Sequence, residues 1–320
     1  MKALQEIATE LKKAKDILIG SHLNPDGDCI GSTLGLTLAL RQHGCRAIPL
    51  NADPLPEMYG FLPGSQAICR PQDLEEVPPI LVAVDCTDLD RIAEGFVQWQ
   101  DKFRLIINID HHASNSFFGH LNLVDSQAAA TGELVYYLLQ AMDIAISPDV
   151  ATCLYTALVT DTGSFQYENT GPRTHRLAAS LLEAGANLGL IREHLWESKP
   201  LSGIQLLGQV LPTLTLAFSG KVAYIYVKET TLAALQANGE HIEGLVNYPR
   251  SISGVEVALL FREMKPEVIK VSLRSKKYVD VNLIAQRFGG GGHHRAAGCT
   301  LKAPLAEAIS QVLTVVGEFL

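Results

Sequence analysis

Four clusters of aspartate and histidine occur in order along this chain, and each directly follows an apolar run. They are His22-Leu23-Asn24-Pro25-Asp26-Gly27-Asp28, then Asp85, then Asp110-His111-His112, then Asp161. A bare carboxylate is costly to bury, so each cluster marks the point where an apolar strand or helix emerges towards a polar site. The order constrains the fold to one that gathers several element ends in one place. Carboxylates and up to three imidazoles gathered in that way form the ligand set of a two-metal hydrolytic centre.

The apolar runs alternate with segments of helical periodicity, the pattern of βαβ units and a parallel sheet. Strands are expected at 16–20, 46–50, 80–84 and 104–109, and helices at 30–43, 131–142, 148–159 and 174–184. In an open α/β sheet, ligands collect beyond the carboxyl ends of the strands, where His22, Asp85 and Asp110 would lie. Residues 188–212 read as a helical connector broken by Pro200. Beyond it the pattern changes to paired strands at 214–218, 222–227, 255–261 and 268–273, a helix near 281–288 and a last helix from Pro304. Ser219-Gly220 has hairpin spacing and predicts antiparallel pairing. The expectation is an α/β protein: an N-terminal, mostly parallel sheet flanked by helices over 1–187, the connector, and a smaller α+β domain over 213–320, with a cleft between them.

At 320 residues the chain is long enough for two separate cores, and 47% hydrophobic with 19% charged residues is the composition of a folded protein. The first residues mix Lys2, Glu6 and Glu10 with apolar positions, unlike a signal peptide, and no window has the roughly 20 apolar residues of a membrane span. A cytoplasmic protein without a membrane partner is expected. The six cysteines include no C-x-x-C pair, which argues against a zinc knuckle or a disulfide framework. Cys29 and Cys86 each follow an aspartate of the proposed site and read as buried fillers rather than ligands. A net charge of -8 disfavours a protein that coats long nucleic acid. Between Arg250 and Arg295, however, nine lysines and arginines face four acids, a local excess that suits a small phosphorylated ligand.

Each cluster also has a plainer reading. Asp28 could cap the helix that follows it; a lone aspartate after a strand, such as Asp85, is shared by nucleotide-binding folds that use it for ribose. Adjacent histidines do not easily share one cation, so Asp110-His111-His112 suggests a division of labour: one imidazole as ligand, one towards a phosphate oxygen or leaving group, and Asp110 orienting an imidazole. Asp161 closes a helix, where the dipole disfavours a carboxylate unless a cation is bound. The run Gly289-Gly290-Gly291-Gly292-His293 can turn backbone N–H groups on an anion, or be only a flexible turn.

Taken together these residues resemble the DHH phosphoesterase family, named for the triplet found here as Asp110-His111-His112. The resemblance extends to a C-terminal DHH-associated domain carrying G-G-G-H, here Gly290-Gly291-Gly292-His293. The two-domain size is similar to the group that degrades nanoRNA and dephosphorylates phosphoadenosine phosphate. The resemblance implies two divalent ions, Mn²⁺ above all, with His22, Asp26 and Asp85 on one and Asp28, Asp85, His111 and Asp161 on the other. It implies that His112 contacts the scissile phosphate with Asp110 behind it. Arg262, Arg274, Ser275, Gly290, Gly291, Gly292 and His293 would hold the rest of the nucleotide.

The expected activity is hydrolysis of short single-stranded oligonucleotides to mononucleotides and of 3′-phosphoadenosine 5′-phosphate to AMP, by a metal-activated water. Cyclic or linear dinucleotides such as cyclic di-AMP are the alternative substrates, and a non-catalytic nucleotide sensor is the alternative from another class. Pyrophosphatases of the family carry a different second domain. Long duplex nucleic acid is not an expected partner, and a second copy of the chain is.

Overall fold

The structure, a computed structural model, describes residues 2–242 and 244–320, with the side chains of Glu240 and His293 outside the description. It divides into two compact units, Met1–Ser198 and Lys199–Leu320.

The first unit runs α1 (Lys2–Lys13), β1 (Asp16–Ser21), α2 (Gly27–Gln42), β2 (Arg46–Leu50), β3 (Ile80–Val84), β4 (Leu105–Asp110), β5 (Leu121–Val124), α3 (Thr131–Ala141), α4 (Pro148–Asp161), α5 (Pro172–Glu183) and α6 (Leu188–Arg192). The five strands form one parallel sheet in the order β2-β1-β3-β4-β5. Its central strands are almost wholly apolar because both faces are covered, as parallel sheets require. Alternate residues go to opposite faces. Ile17, Ile19, Val82, Val84, Ile107 and Ile109 pack with helical residues such as Leu34, Val135 and Leu154. Leu18, Leu81, Ala83 and Ile106 pack on the other face with Ile92, Phe96 and Phe103, from the short turns between β3 and β4.

Two features of this unit position the polar clusters. The first is register: Ser21 pairs with Val84 and Val84 with Ile109, so β1, β3 and β4 end level and side by side. The second is the contact of α2 with α4. A Cβ at Gly27 would lie 2.4 Å from the Thr160 side chain, and one at Gly31 would lie 2.5 Å from the carbonyl oxygen of Cys153. Glycine at these positions, one helical turn apart, lets the helix backbones touch and brings the start of α2 beside the end of α4.

The helix α2 begins earlier than the apolar pattern suggests. Its cap is Asp26, whose carboxylate accepts from the Cys29 amide at 3.0 Å. Asp28 therefore does not cap α2 but lies in its first turn, where the helix dipole favours a negative charge.

The second unit contains α7 (Leu201–Val210), β6 (Thr215–Ala217), β7 (Val222–Val227), α8 (Glu229–Ala234), α9 (Asn247–Ser251), β8 (Val257–Lys265), β9 (Val268–Ser275), α10 (Val281–Gln286), β10 (Gly291–His293), β11 (Ala296–Leu301) and α11 (Leu305–Gly317). Its six-stranded sheet has the order β10-β11-β9-β8-β7-β6. The Ser219-Gly220 turn joins the antiparallel pair β6 and β7, as its spacing predicts. β7 and β8 instead run parallel, because the chain between them crosses over through α8 and α9. One face packs on α10 and α11 through Phe261, Val271, Ile284 and Val312, and the other on α7 to α9 through Leu206, Ile225, Leu232 and Leu260.

Candidate metal centre

The level strand ends place His22, Asp85 and Asp110 in adjacent positions, and the α2–α4 contact adds Asp28 and Asp161. Three overlapping groups result: His22, Asp26 and Asp85; Asp28, His111 and Asp161; Asp85, His111 and His112. In each, the donor atoms lie within 4.8 Å of one another.

Asp85 and His111 are each common to two of these groups. The backbone at Asp85 is unusual. This residue follows the last residue of β3 with φ of 59°, a left-handed conformation that aspartate tolerates better than most residues, and its amide continues the ladder to Ile109 at 2.9 Å. Strained backbone of this kind concentrates at functional sites. His22 Nε2 lies 3.3 Å from Asp85 Oδ2 and 3.8 Å from Asp26 Oδ1. His111 Nε2 lies 3.7 Å from Asp28, 3.8 Å from Asp85 and 3.6 Å from Asp161.

Both imidazoles are oriented by carbonyl oxygens, which can only accept. His22 Nδ1 contacts Leu23 O at 2.8 Å and His111 Nδ1 contacts Ala128 O at 3.2 Å, so each Nδ1 carries the proton and each Nε2 faces the carboxylates. His112 differs. Its Nδ1 donates to Asp110 Oδ1 at 2.6 Å, within a carboxylate that also accepts from the Asn115 side chain at 2.6 Å and the His111 amide at 2.8 Å. Asp110 is fully buried and belongs to none of the three donor groups, and its contact with His112 is the kind by which carboxylates orient an imidazole.

The donor set fits divalent cations. Bonds of about 2.1 Å at octahedral or tetrahedral angles separate neighbouring donors by about 3.0–3.5 Å, and the imidazole-to-carboxylate spacings of 3.3–3.8 Å come within a few tenths of an ångström of that range. The electrostatics agree, because the buried acids Asp28 and Asp85 and the half-buried Asp161 converge with only imidazoles to balance them. Burial and the charge of Asp85 push the Asp28 carboxyl up. Burial, reinforced by Asp85 and Asp26 and opposed by His111, lifts Asp161 to about 6. Burial alone would lower His111, but Asp28, Asp85 and Asp161 outweigh it and lift the imidazole to about 9. Burial works against the Asp85 charge too, yet His22, His111 and His112 hold it below the ordinary carboxylate range. Divalent cations would replace the protons that these shifts retain.

Cys29 and Cys86 are fully buried beside the site, as fillers should be, and burial raises both thiols. The residues that orient the ligands were not apparent from sequence: Asn115 on Asp110, Asn51 on the His22 carbonyl at 2.9 Å, and Thr131 and Gly132 on Asp28. Asparagines in loops and a threonine at the start of a helix carry no pattern of their own, and only the fold shows what they touch.

In the second unit, Arg262 (β8), Arg274 and Ser275 (β9) lie on neighbouring strands, and Gly291, Gly292 and His293 form β10. The glycine run is not an open anion-binding loop throughout. The amides of Gly289 and Gly290 donate to Gln286 O and Ala285 O and close α10. Gly292 at φ 149° lies where a Cβ would stand 2.5 Å from Ala296 O, so glycine there serves the close β10–β11 hairpin. Half-buried Arg262 has an Nε atom without a hydrogen-bond partner, and the buried Ser275 hydroxyl likewise has none. The side chain of His293 lies outside the described residues.

Fold and site together define a DHH-family phosphoesterase. Residues 16–158 match the DHH family N-terminal domain and residues 219–320 match the DHHA1 domain, and the chain belongs to this family. It is 38% identical, over 98% of its own length and 93% of the relative's, to the bifunctional oligoribonuclease and PAP phosphatase NrnA of Thermus thermophilus. A solved exopolyphosphatase-related protein from Bacteroides fragilis superposes with a TM-score of 0.94 at 28% identity, covering 100% of this chain and 97% of that one. RecJ from Thermus thermophilus, crystallised with Mn²⁺, shares the fold at a TM-score of 0.56 and 16% identity, covering 99% of this chain and 54% of that one.

Proposed function

We propose that this protein is a metal-dependent phosphoesterase that hydrolyses short oligonucleotides to mononucleotides and removes the 3′-phosphate of 3′-phosphoadenosine 5′-phosphate. The observation that carries this reading is the convergence of His22, Asp26, Asp28, Asp85, His111 and Asp161 into overlapping donor groups linked through Asp85 and His111. The names of the curated relatives supply the substrate class.

His22, Asp26 and Asp85 would hold one cation, and Asp28, Asp85, His111 and Asp161 the other, with Mn²⁺ favoured by the mixture of imidazole and carboxylate. Two such cations would polarise the phosphoryl oxygens and acidify a coordinated water. His112 acts beside them as a donor. Its Nδ1 is held by Asp110, which outweighs the effect of burial and raises the imidazole above its ordinary value. A protonated His112 suits charge developing on a phosphoryl oxygen or the leaving group. The chain supplies no covalent nucleophile in this scheme.

We assign hydrolysis to residues 1–187 and nucleotide binding to 213–320, where Arg262, Arg274, Ser275, Gly290, Gly291, Gly292 and His293 are the candidate contacts within a locally basic segment. We place the protein in the cytoplasm; among the described residues no helix is long and apolar enough to cross a membrane. A homodimer, and exclusion of long duplexes, complete the proposal.

A substrate panel with Mn²⁺ tests it: RNA and DNA dinucleotides, a longer RNA, 3′-phosphoadenosine 5′-phosphate and cyclic di-AMP. The proposal expects turnover of dinucleotides and the bisphosphate nucleoside ahead of the long RNA. Turnover of cyclic di-AMP alone would move the assignment to a cyclic-dinucleotide phosphodiesterase. Tight nucleotide binding with no turnover would make the protein a sensor.

A further inference from the structure

The start of α3 touches the candidate ligands more closely than any other element outside the four clusters. Thr131 is fully buried. Its hydroxyl donates to Asp85 Oδ1 at 2.8 Å, and its backbone amide donates to Asp28 Oδ2 at 2.6 Å. Gly132 adds an amide to Asp28 Oδ1 at 3.0 Å, which also accepts from Ser32 Oγ at 2.8 Å. A Cβ at Gly132 would stand 2.7 Å from Ala157 Cβ, so glycine is what allows that amide to approach. Glu133, also buried, accepts from the Ala129 amide at 2.8 Å, and the neighbouring Ala128 carbonyl is the group that fixes His111. Arg173 pairs with Glu133 and stacks on Tyr137, which holds this buried carboxylate in place.

We propose that Thr131-Gly132-Glu133 is a positioning element that sets the spacing of Asp28, Asp85 and His111, with the Thr131 hydroxyl as its decisive group. The inference rests on the metal-centre reading above. One residue bonds the carboxylate assigned to both cations and a second carboxylate assigned to one of them, so it fixes their separation before any cation arrives. Of the two Asp85 oxygens, the hydroxyl restrains Oδ1, the one nearer His111, while Oδ2 stays with His22. Such pre-organisation of ligands raises affinity without adding a ligand, and the loss of an orienting partner typically costs about 10–100-fold.

Two variants separate the hydroxyl from simple packing. Thr131→Val keeps the shape and loses the donor; Thr131→Ser keeps the donor and loses a methyl group. The measurement is Mn²⁺ affinity and stoichiometry by calorimetry on the full chain, with the near-ultraviolet circular dichroism of each metal-free protein as the check on folding. The expected result is two ions on the wild-type protein, Thr131→Val weakened at least tenfold, and Thr131→Ser within threefold of wild type. Glu133→Gln, which keeps the size of the side chain, is expected to weaken binding through His111 by a smaller factor. Wild-type affinity in Thr131→Val with weakened binding in Thr131→Ser would show a packing role and overturn the proposal. A wild-type protein that binds no Mn²⁺ would remove the metal-centre reading itself, and this inference with it.

Discussion

Gly31 lies directly against the backbone of Cys153: a Cβ at Gly31 would stand 2.5 Å from the Cys153 carbonyl oxygen and 2.9 Å from the Ala157 amide. These neighbours are backbone atoms that no rotamer change can move. The distance from α2 to α4, and with it the distance from Asp28 to Asp161, is set here. Gly31→Ala is expected to lower stability by about 1–3 kcal/mol, the usual cost of overpacking, and to weaken Mn²⁺ binding. Urea unfolding and calorimetry on the same samples check both effects. Full stability together with unchanged affinity would show that the helix contact does not govern the site.

His112 is assigned to the substrate and His111 to a cation, although both belong to a donor group with Asp85. His112→Ala is expected to leave two Mn²⁺ ions bound and to reduce kcat by about 10²–10⁴-fold, the range for a lost general acid. His111→Ala is expected to lose an ion. Loss of one ion in both variants would show that His112 is a ligand.

The proton balance gives a pH dependence. In the metal-free protein His111, at about 9, is mostly protonated at neutral pH, and Asp161, at about 6, gains a proton as the solution becomes mildly acidic. Both must lose that proton to bind a cation, so affinity should rise with pH through 6 and continue to rise towards 9. The metal-free fold behaves in the opposite sense. The raised value of His111 contributes stability fully present below its ordinary 6.5 and lost as pH passes 9. Calorimetric titrations at pH 7.5 in buffers of different ionisation enthalpy should therefore report proton release on Mn²⁺ binding. Proton uptake, or affinity falling between pH 6 and 8, would contradict the assignment.

Asp85 is shared by two donor groups, and its backbone is left-handed, with φ of 59°. Asp85→Asn keeps the size and the tolerance of a left-handed backbone but lacks the charge to hold two cations. Turnover of every substrate in the panel should fall by at least about 10³-fold, on the scale expected when electrostatic stabilisation is removed. Activity within tenfold of wild type would remove Asp85 as a bridge.

The strands were legible because their signal is local. β2, β3 and β7 occupy the segments read from the apolar runs, and the aspartates that close the runs locate the site. β5 was missed because Leu121–Val124 is short and half-exposed on the edge of the sheet, with no alternation to reveal it. β10 and β11 were missed because a glycine run reads as a turn, whereas Gly290 and Gly292 serve two backbones that nearly touch: a Cβ at Gly290 would stand 2.1 Å from Gly298 O. Asp28 was the aspartate read as a possible cap of α2, and only the backbone shows that Asp26 fills that position. Thr131 was out of reach for another reason. Its partners Asp28 and Asp85 are 103 and 46 residues away in sequence, and hydrogen bonds across such separations leave no periodic trace.

Diffraction from crystals soaked in Mn²⁺, recorded at the manganese absorption edge, tests the central claim most directly. The account predicts two anomalous peaks in the first unit, one among His22, Asp26 and Asp85 and one among Asp28, Asp85, His111 and Asp161, with Asp85 within bonding distance of both. A single peak, or two peaks that do not share Asp85, would contradict it.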